Sequence, residues 1–249
     1  NMAAIGHLAE RYGFAVLEDA SHAIGAQYKN QPVGSCIYSS ICVFSFHPVK
    51  IITTGEGGVA TTNDPLLAQR MANLRSHGIV KEVDRFQQPA AGPWSYEQQN
   101  LGFNYRMTEL QAALGLSQLA RLDKIVDERN RLYKRYERLL KDLPARLLSI
   151  PDEVRSSVHL AVIRLETVNA EEHCTLFGNL REAGIGVQLH YSPVHLQPYY
   201  RNLGFNEGYC PQAEIYGINA ISLPLFPGLS EENQDRVAFE TNRFLSINN

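Results

Sequence analysis

Residues 41–58 constrain the chain most. Ile41-Cys-Val-Phe-Ser-Phe46 is a short run of β-branched, aromatic and small apolar residues, the pattern of a buried strand. His47-Pro48 turns the chain out of that run, Lys50 follows, and Gly55-Glu-Gly-Gly58 turns it into another strand-like run, Gly58-Val-Ala-Thr-Thr62. Lys50 has Val49, Ile51 and Ile52 around it and no adjacent acid. Partial desolvation of a lysine in such a place lowers its pKa and favours a nucleophilic or Schiff-base amine. The plainer reading is a surface lysine at a strand end.

The segments before and after these strands read as an α/β arrangement. Ile5, Leu8, Ala9 and Tyr12 follow helical spacing, and Gly13 suits the position just past a helix end. Phe14-Ala-Val-Leu-Glu18 reads as a buried strand with Asp19 at its carboxyl end, where open α/β sheets bind ligands. The chain thus enters in mid-motif. Asn63 or Asp64 can cap a helix that starts at Pro65 and carries Leu67, Met71 and Leu74 on one face. The polar stretch up to Pro93 is expected to be a surface loop.

Thr108-Glu-Leu-Gln111 is a capping-box pattern. The seam Leu119, Leu122, Val126, Tyr133, Tyr136, Leu140 predicts one helix of about thirty residues, ~45 Å long, running to Pro144. Such a helix could join two domains, with residues 1–107 in one and the helix and residues up to 249 in the other. The second part reads as a smaller α+β domain. Its expected strands are His159–Leu165, Ile185–Leu189 and Ala220–Leu223. Its expected helices are one capped by Asn169 with Glu172 and a last one capped by Ser230.

Composition removes several classes of function. Net charge is −3 and no basic run occurs, which argues against nucleic acid. No apolar stretch is long enough for a membrane span, and the start lacks the pattern of a signal peptide. Cys36, Cys42, Cys174 and Cys210 form no C-x-x-C pair and read as reduced thiols of a cytoplasmic protein. His190 and His195 are separated by Pro193, which spoils a helical ligand pair, so no metal is expected.

Asp19, Ser45 and Lys50 fall at the ends of consecutive expected strands. Singly, Asp19 could cap a turn and Ser45 could be a satisfied core hydroxyl. Together they fit a pyridoxal phosphate (PLP) site: a lysine for the Schiff base, a carboxylate to keep the pyridine nitrogen protonated, and a hydroxyl for the phosphate.

Glu18-Asp-Ala-Ser-His-Ala-Ile-Gly25, Phe44-Ser-Phe-His-Pro-Val-Lys50 and Thr53-Thr-Gly-Glu-Gly-Gly58 resemble the DegT/DnrJ/EryC1/StrS sugar aminotransferase family. The likeness continues through Arg75–Lys81, Gly102-Phe-Asn-Tyr-Arg106 and Gly184-Ile-Gly-Val-Gln-Leu-His-Tyr191, so it spans nearly the whole chain. It implies the fold type I architecture: part of the large PLP-binding α/β domain, with a mixed, mostly parallel sheet, then a long helix and a smaller α+β domain. Lys50 then corresponds to the Schiff-base lysine and Asp19 to the partner of the pyridine nitrogen. His22 corresponds to a residue near the cofactor's phenolic oxygen and Ser45 to a phosphate ligand. Asn104 corresponds to a phosphate ligand given to a neighbouring subunit, which implies a homodimer with shared sites. His190 and Tyr191, with His159, fall where family members approach the sugar nucleotide.

Arg75–Lys81 and Gly186–Tyr191 are most similar to family members of pseudaminic acid formation. The implied reaction moves an amino group from glutamate to C4 of a nucleotide-linked 4-keto-6-deoxy sugar. Alternatives are a sugar-nucleotide 3-aminotransferase, a dehydrase of the same family (which carries histidine in place of the lysine), or a non-catalytic PLP-fold fragment. Members of the family begin well upstream of Asn1, with a phosphate-binding turn and a residue that stacks on the cofactor ring. The chain by itself is therefore expected to bind PLP weakly or not at all.

Overall fold

Alternation at residues 41–45 decides the first sheet. In the computed structural model, which describes residues 1–166 and 169–247, Ile41–Ser45 is strand β2, pairing in parallel with β1 (Leu17–Asp19) and antiparallel with β3 (Gly58–Thr61). The register sets Asp19 beside Val43 on one side, and Val43 beside Ala60 and Ser45 beside Gly58 on the other. Period-two geometry therefore gives Asp19, Val43 and Ser45 one face of the sheet, while Cys42 and Phe44 take the opposite face.

That opposite face is the packed one. Cys42 and Phe44 are buried with Ala20 and Cys36, and Ala23, Ile24, Val33 and Phe46 pack against them. Burial pushes the Cys42 thiol up to about 12, so it stays protonated. The face of Asp19 is open: Leu17 is 66% and Val43 40% exposed. The strand expected over Phe14–Glu18 is thus shorter, later and exposed rather than buried. It has one paired neighbour, and no described element covers its outer face.

Two helices of this unit are fixed by their ends. α1 (Met2–Tyr12) is capped by the Asn1 side chain and stops at Gly13 in the left-handed conformation, φ 69°. α2 (Pro65–Arg75) starts on Asp64, whose carboxylate accepts from the Leu66 and Leu67 amides, and Leu67, Met71 and Leu74 are half-buried. The capping box at Thr108 opens α3 (Glu109–Leu119) as expected. The single long helix is not formed. Arg121 N–H bonds to the Gln118 carbonyl, a tightened final turn, and a new helix, α4 (Leu122–Leu139), begins beyond it. Leu119-Ala-Arg-Leu122 contains no helix breaker, so propensity gave no warning of the break.

The chain divides into two compact units, Asn1–Asp123 and Lys124–Asn249. The capping-box helix α3 therefore lies in the first unit, not with the second as the 1–107/108–249 division expected. After α4, the second unit has β4 (Ala145–Leu147), β5 (Ala161–Leu165), α5 (Ala170–Glu182), β6 (Gln188–Leu189), α6 (Pro211–Gly217), β7 (Ala220–Leu223) and α7 (Glu231–Ile247). Its sheet is antiparallel in the order β6-β7-β5-β4. Asn169 with Glu172 caps α5, and Ser230 accepts from Asn233 at the start of α7, both as expected. The expected strands at 159–165 and 185–189 are shorter, but Ile185 and Val187 still face the core.

That core is the substantial one. Leu132 and Tyr136 from α4, Ile163 and Leu165 from β5, Leu176 and Leu180 from α5, Ile221 and Leu223 from β7, and Val237 and Leu245 from α7 are all buried together. Each fully buried aliphatic side chain contributes about 1.5–3 kcal/mol. Arg129 of α4 is buried beside this core and donates to the carbonyls of Val158, His159 and Leu225 at 3.2, 3.1 and 3.1 Å. Desolvation holds its pKa below the usual arginine value. The three charge-assisted bonds offset the cost of burying the charge. Arg129→Ala is expected to destabilise the second unit by about 3 kcal/mol, because three carbonyls lose their donor. Urea denaturation followed by circular dichroism would measure the loss, and an unchanged midpoint would count against this account.

Candidate active site

Four of the expected site residues cluster in the first unit. Asp19 closes β1, His22 lies in the turn after it, Ser45 closes the adjacent parallel strand, and Lys50 follows one turn later. The charges of His22 and Lys50 both act on the Asp19 carboxylate. The dominant influence on Asp19 is local. The Ser21 hydroxyl donates to its Oδ1, and the Ser21 amide donates to the same oxygen at 3.1 Å. Together these hold the carboxyl below its ordinary value. Both bonds fall on Oδ1, and the carboxylate lies on the open face of the sheet.

The loop that carries Lys50 is tied down at both ends. Lys50 N–H bonds to the His47 carbonyl at 3.0 Å, while the Phe46 carbonyl accepts both the Thr53 hydroxyl (2.8 Å) and the Thr54 amide (3.0 Å). Phe46 N–H returns to Gly57, and Gln118 of α3 accepts the Thr53 amide at 3.1 Å. Ile51 and Ile52 are buried, anchoring the segment directly after the lysine, while Val49 is exposed. Lys50 itself is half-buried. Gly57 sits at φ 155°, and a Cβ there would come within 2.3 Å of Thr54 Oγ1, so the glycine-rich turn admits no side chain at that point. A cleft of about 440 Å³, lined by Val43, Gly58, Ala60, Tyr105 and Arg106, is floored by the sheet face that carries Asp19 and Ser45.

Asn104 lies elsewhere in this unit. It pairs with Ser76 beyond α2, its side chain is exposed, and no hydrogen bond or ion pair among the described residues links it to Lys50. His190 and Tyr191 belong to the second unit, where they stack with ring centroids 4.5 Å apart. His190 Nδ1 lies 3.2 Å from the Ser222 hydroxyl, and burial lowers the imidazole's pKa, favouring the neutral ring. Both residues line a cleft of about 1120 Å³.

His159 does not join His190 and Tyr191. It precedes β5, is buried, and gives its carbonyl to Arg129. His190 follows β6 at the level of Arg164, five residues further along β5, which places it about 16 Å away along the sheet. The structure makes His159 part of the core wall rather than of the cleft. Ser21 is the residue that sequence reasoning passed over. Its signal was present, since a serine two residues after an aspartate can close a local turn onto that carboxylate.

Residues 1–241 match the DegT/DnrJ/EryC1/StrS aminotransferase family. The chain belongs to that family. Over 244 residues it is 36% identical to the spore coat polysaccharide biosynthesis protein SpsC of Bacillus subtilis (strain 168), covering 95% of this chain and 61% of SpsC. Its fold matches Helicobacter pylori PseC, an aminotransferase involved in the biosynthesis of pseudoaminic acid, with TM-score 0.88 and 32% identity, covering 99% of this chain and 64% of PseC. It also matches Spr1654 of Streptococcus pneumoniae in its PMP form, with TM-score 0.87 and 31% identity, covering 96% of this chain and 61% of that one. Spr1654 has a PLP form as well. The family is PLP-dependent, and the expected mixed α/β fold is the one observed. The chain spans less than two thirds of the length of these relatives.

The residues present suit a PLP site in the first unit. The ionised carboxylate of Asp19 suits a protonated ring nitrogen, the half-buried Lys50 suits covalent attachment, and the Ser45 hydroxyl, at the end of the adjacent strand, is of a type that suits a phosphate.

Ser21→Ala is expected to raise the Asp19 pKa toward the ordinary carboxylate value. Because the folded-state value is the lower one, Asp19 contributes stability above its unfolded pKa and loses it as pH falls through the folded pKa. The variant should therefore lose less stability on acidification than the parent. Carboxyl NMR titration measures the pKa directly; an unmoved Asp19 resonance would sink this account.

Proposed function

We propose that this chain serves a PLP-dependent sugar-nucleotide aminotransferase that moves an amino group from glutamate to C4 of a nucleotide-linked 4-keto-6-deoxy sugar. The observation that carries this reading is the convergence of Asp19, His22, Ser45 and Lys50 at the carboxyl ends of two adjacent parallel strands, with the lysine's charge acting on the carboxylate. When bound, PLP supplies a reactive aldehyde and an electron-withdrawing ring.

The chain's own residues do the rest. Asp19, kept ionised by Ser21, would hold a proton on the ring nitrogen. Ser45 would donate its hydroxyl to the phosphate. His22 lies close enough to influence Asp19 and is assigned to the phenolic oxygen by family likeness. Lys50 Nζ takes up the α-proton of the donor amino acid and releases it again, working as base and then as acid. The short tethers on both sides of Lys50 keep its backbone fixed while the long side chain moves between those tasks.

Asn104 is exposed, and among the described residues its pairing is the backbone bridge to Ser76, which leaves its side chain available to a second copy and supports a homodimer with shared sites. The resemblance to SpsC and PseC supports a role in surface-glycan or pseudaminic acid formation. Four free thiols support a reducing, cytoplasmic setting. Among the described residues no helix is long and apolar enough to cross a membrane.

Because the chain by itself is expected to hold PLP weakly, borohydride treatment is carried out in a large excess of PLP, and it is expected to fix a pyridoxyl group on Lys50, read by peptide mass spectrometry. Label spread over other lysines and missing from Lys50 would refute the assignment. Lys50→Arg is expected to lower amino transfer by roughly 10³-fold or more while leaving the circular dichroism spectrum intact, as expected for loss of a general acid–base group. Near-normal transfer by that variant would remove Lys50 from the reaction.

A further inference from the structure

The bonds from Phe46 to Thr53, Thr54 and Gly57 close the Lys50 loop against the strands that it joins. A second hold on the loop comes from α3. Gln118 Oε1 accepts the Thr53 amide at 3.1 Å, across a sequence separation of 65 residues. Gln118 is half-buried, and its side-chain nitrogen makes no hydrogen bond with the described residues. The acceptor oxygen is therefore what this side chain contributes.

α3 meets the loop along one face. Gln111, Gly115 and Gln118 follow i, i+4, i+7 spacing and so share a stripe of the helix. Gln111 lines the 440 Å³ cleft together with Gly57 and Gly58. Gly115 lets the helix touch Thr54, because a Cβ there would lie 2.8 Å from Thr54 Cγ2. Thr54 has little room to turn away: it is buried, and its hydroxyl donates to the Glu56 carbonyl at 2.7 Å. Glycine inside a helix is unfavourable relative to alanine, so close approach is what this glycine provides. Gln118 lies in the tightened last turn of α3, where the Arg121 amide takes its carbonyl at 2.9 Å. Its backbone is thus fixed where its side chain reaches the loop.

We propose that Gln118 is a positioning residue for Lys50, with Gly115 bringing α3 close enough for its side chain to reach the loop. Thr53 stands three residues beyond Lys50, and the residues between them, Ile51 and Ile52, are buried. Holding the Thr53 amide therefore leaves the Lys50 backbone little freedom. Without Gln118 that amide loses its acceptor, and the loop relaxes to find another. Covalent attachment needs the Lys50 amine at a defined point over the face that carries Asp19, so a relaxed loop makes attachment less favourable. This use of Lys50 rests on the aminotransferase reading above, whereas the docking of the loop on α3 rests on the structure alone.

Two measurements on the 249-residue chain test it: borohydride trapping across a range of PLP concentrations, and amide hydrogen exchange over residues 50–54. Gln118→Ala should lower the Lys50 label below saturation and speed exchange at Thr53, each by about ten-fold, the effect of one lost hydrogen bond. Label on the other lysines is the internal control and should not change. Gln118→Glu keeps an acceptor oxygen at the same reach and should match the parent in both measurements. Gly115→Ala should lower the Lys50 label although alanine is the stronger helix former, because the added methyl pushes α3 away from Thr54. Parent-like label and exchange in Gln118→Ala, or a Gln118→Glu variant as impaired as Gln118→Ala, would overturn the proposal. If Lys50 of the parent takes no label at any PLP concentration, the aminotransferase reading fails and the exchange rates alone decide the role of Gln118. If the parent is labelled and Gln118→Ala matches it, only the positioning role fails.

Discussion

The parallel pairing of Leu17–Asp19 with Ile41–Ser45 is the constraint on which the first unit depends. Its register places Asp19 beside Val43, so the ends of both strands lie at one edge of the sheet. Lys50 then needs only one turn to return to that edge, and the bonds from Phe46 to Thr53, Thr54 and Gly57 supply it. A slip of one residue would put Asp19 on the packed face with Phe44, in an apolar setting that disfavours a charged carboxylate. Buried Cys42 and Phe44 resist such a slip, because they would have to trade places with exposed Val43. A modest cluster of apolar residues thus fixes the geometry of charged ones on the other side of the sheet.

The second unit solves a different problem. Its core is large, and much of its polar detail concerns chain segments that would otherwise leave carbonyls without donors. Arg129 serves three of them, Tyr136 serves the Pro224 carbonyl, and Gln234 serves that of Leu132. Buried polar atoms without a hydrogen-bond partner among the described residues occur at both ends of the sheet: Arg129 Nε and Gln234 Oε1 at one, Asn219 Oδ1 at the other.

Much of this was legible in the chain itself. Helix ends were read correctly where a side chain makes the cap: Asp64, Thr108, Asn169 and Ser230 each bond to the amides that their positions predicted. The break between α3 and α4 was not legible, because Leu119-Ala-Arg-Leu122 has good helix formers throughout and the interruption is a tightened backbone turn. Burial of the first strand was misjudged for a related reason. An apolar run reports a tendency to be covered, but whether a covering element is present is decided by other parts of the structure. That His159 does not share the cleft of His190 and Tyr191 has no signal in the sequence, because family likeness locates a residue in the chain and not along a sheet.

The sequence by itself determined the chemistry available: which residues can carry a proton, an anion or a Schiff base, and in what order the chain presents them. Asp19, Ser45 and Lys50 could be nominated because strand alternation and turn residues are local, encoded within a few positions. Tertiary structure alone decided which of the nominated groups share a surface. It joined His22 to Asp19, set His190 against Tyr191, and removed His159 to the far end of a sheet. It also brought Gln118 of α3 onto the loop that carries Lys50. Such groupings depend on strand register and sheet order, which arise from the packing of the whole unit and have no local signature.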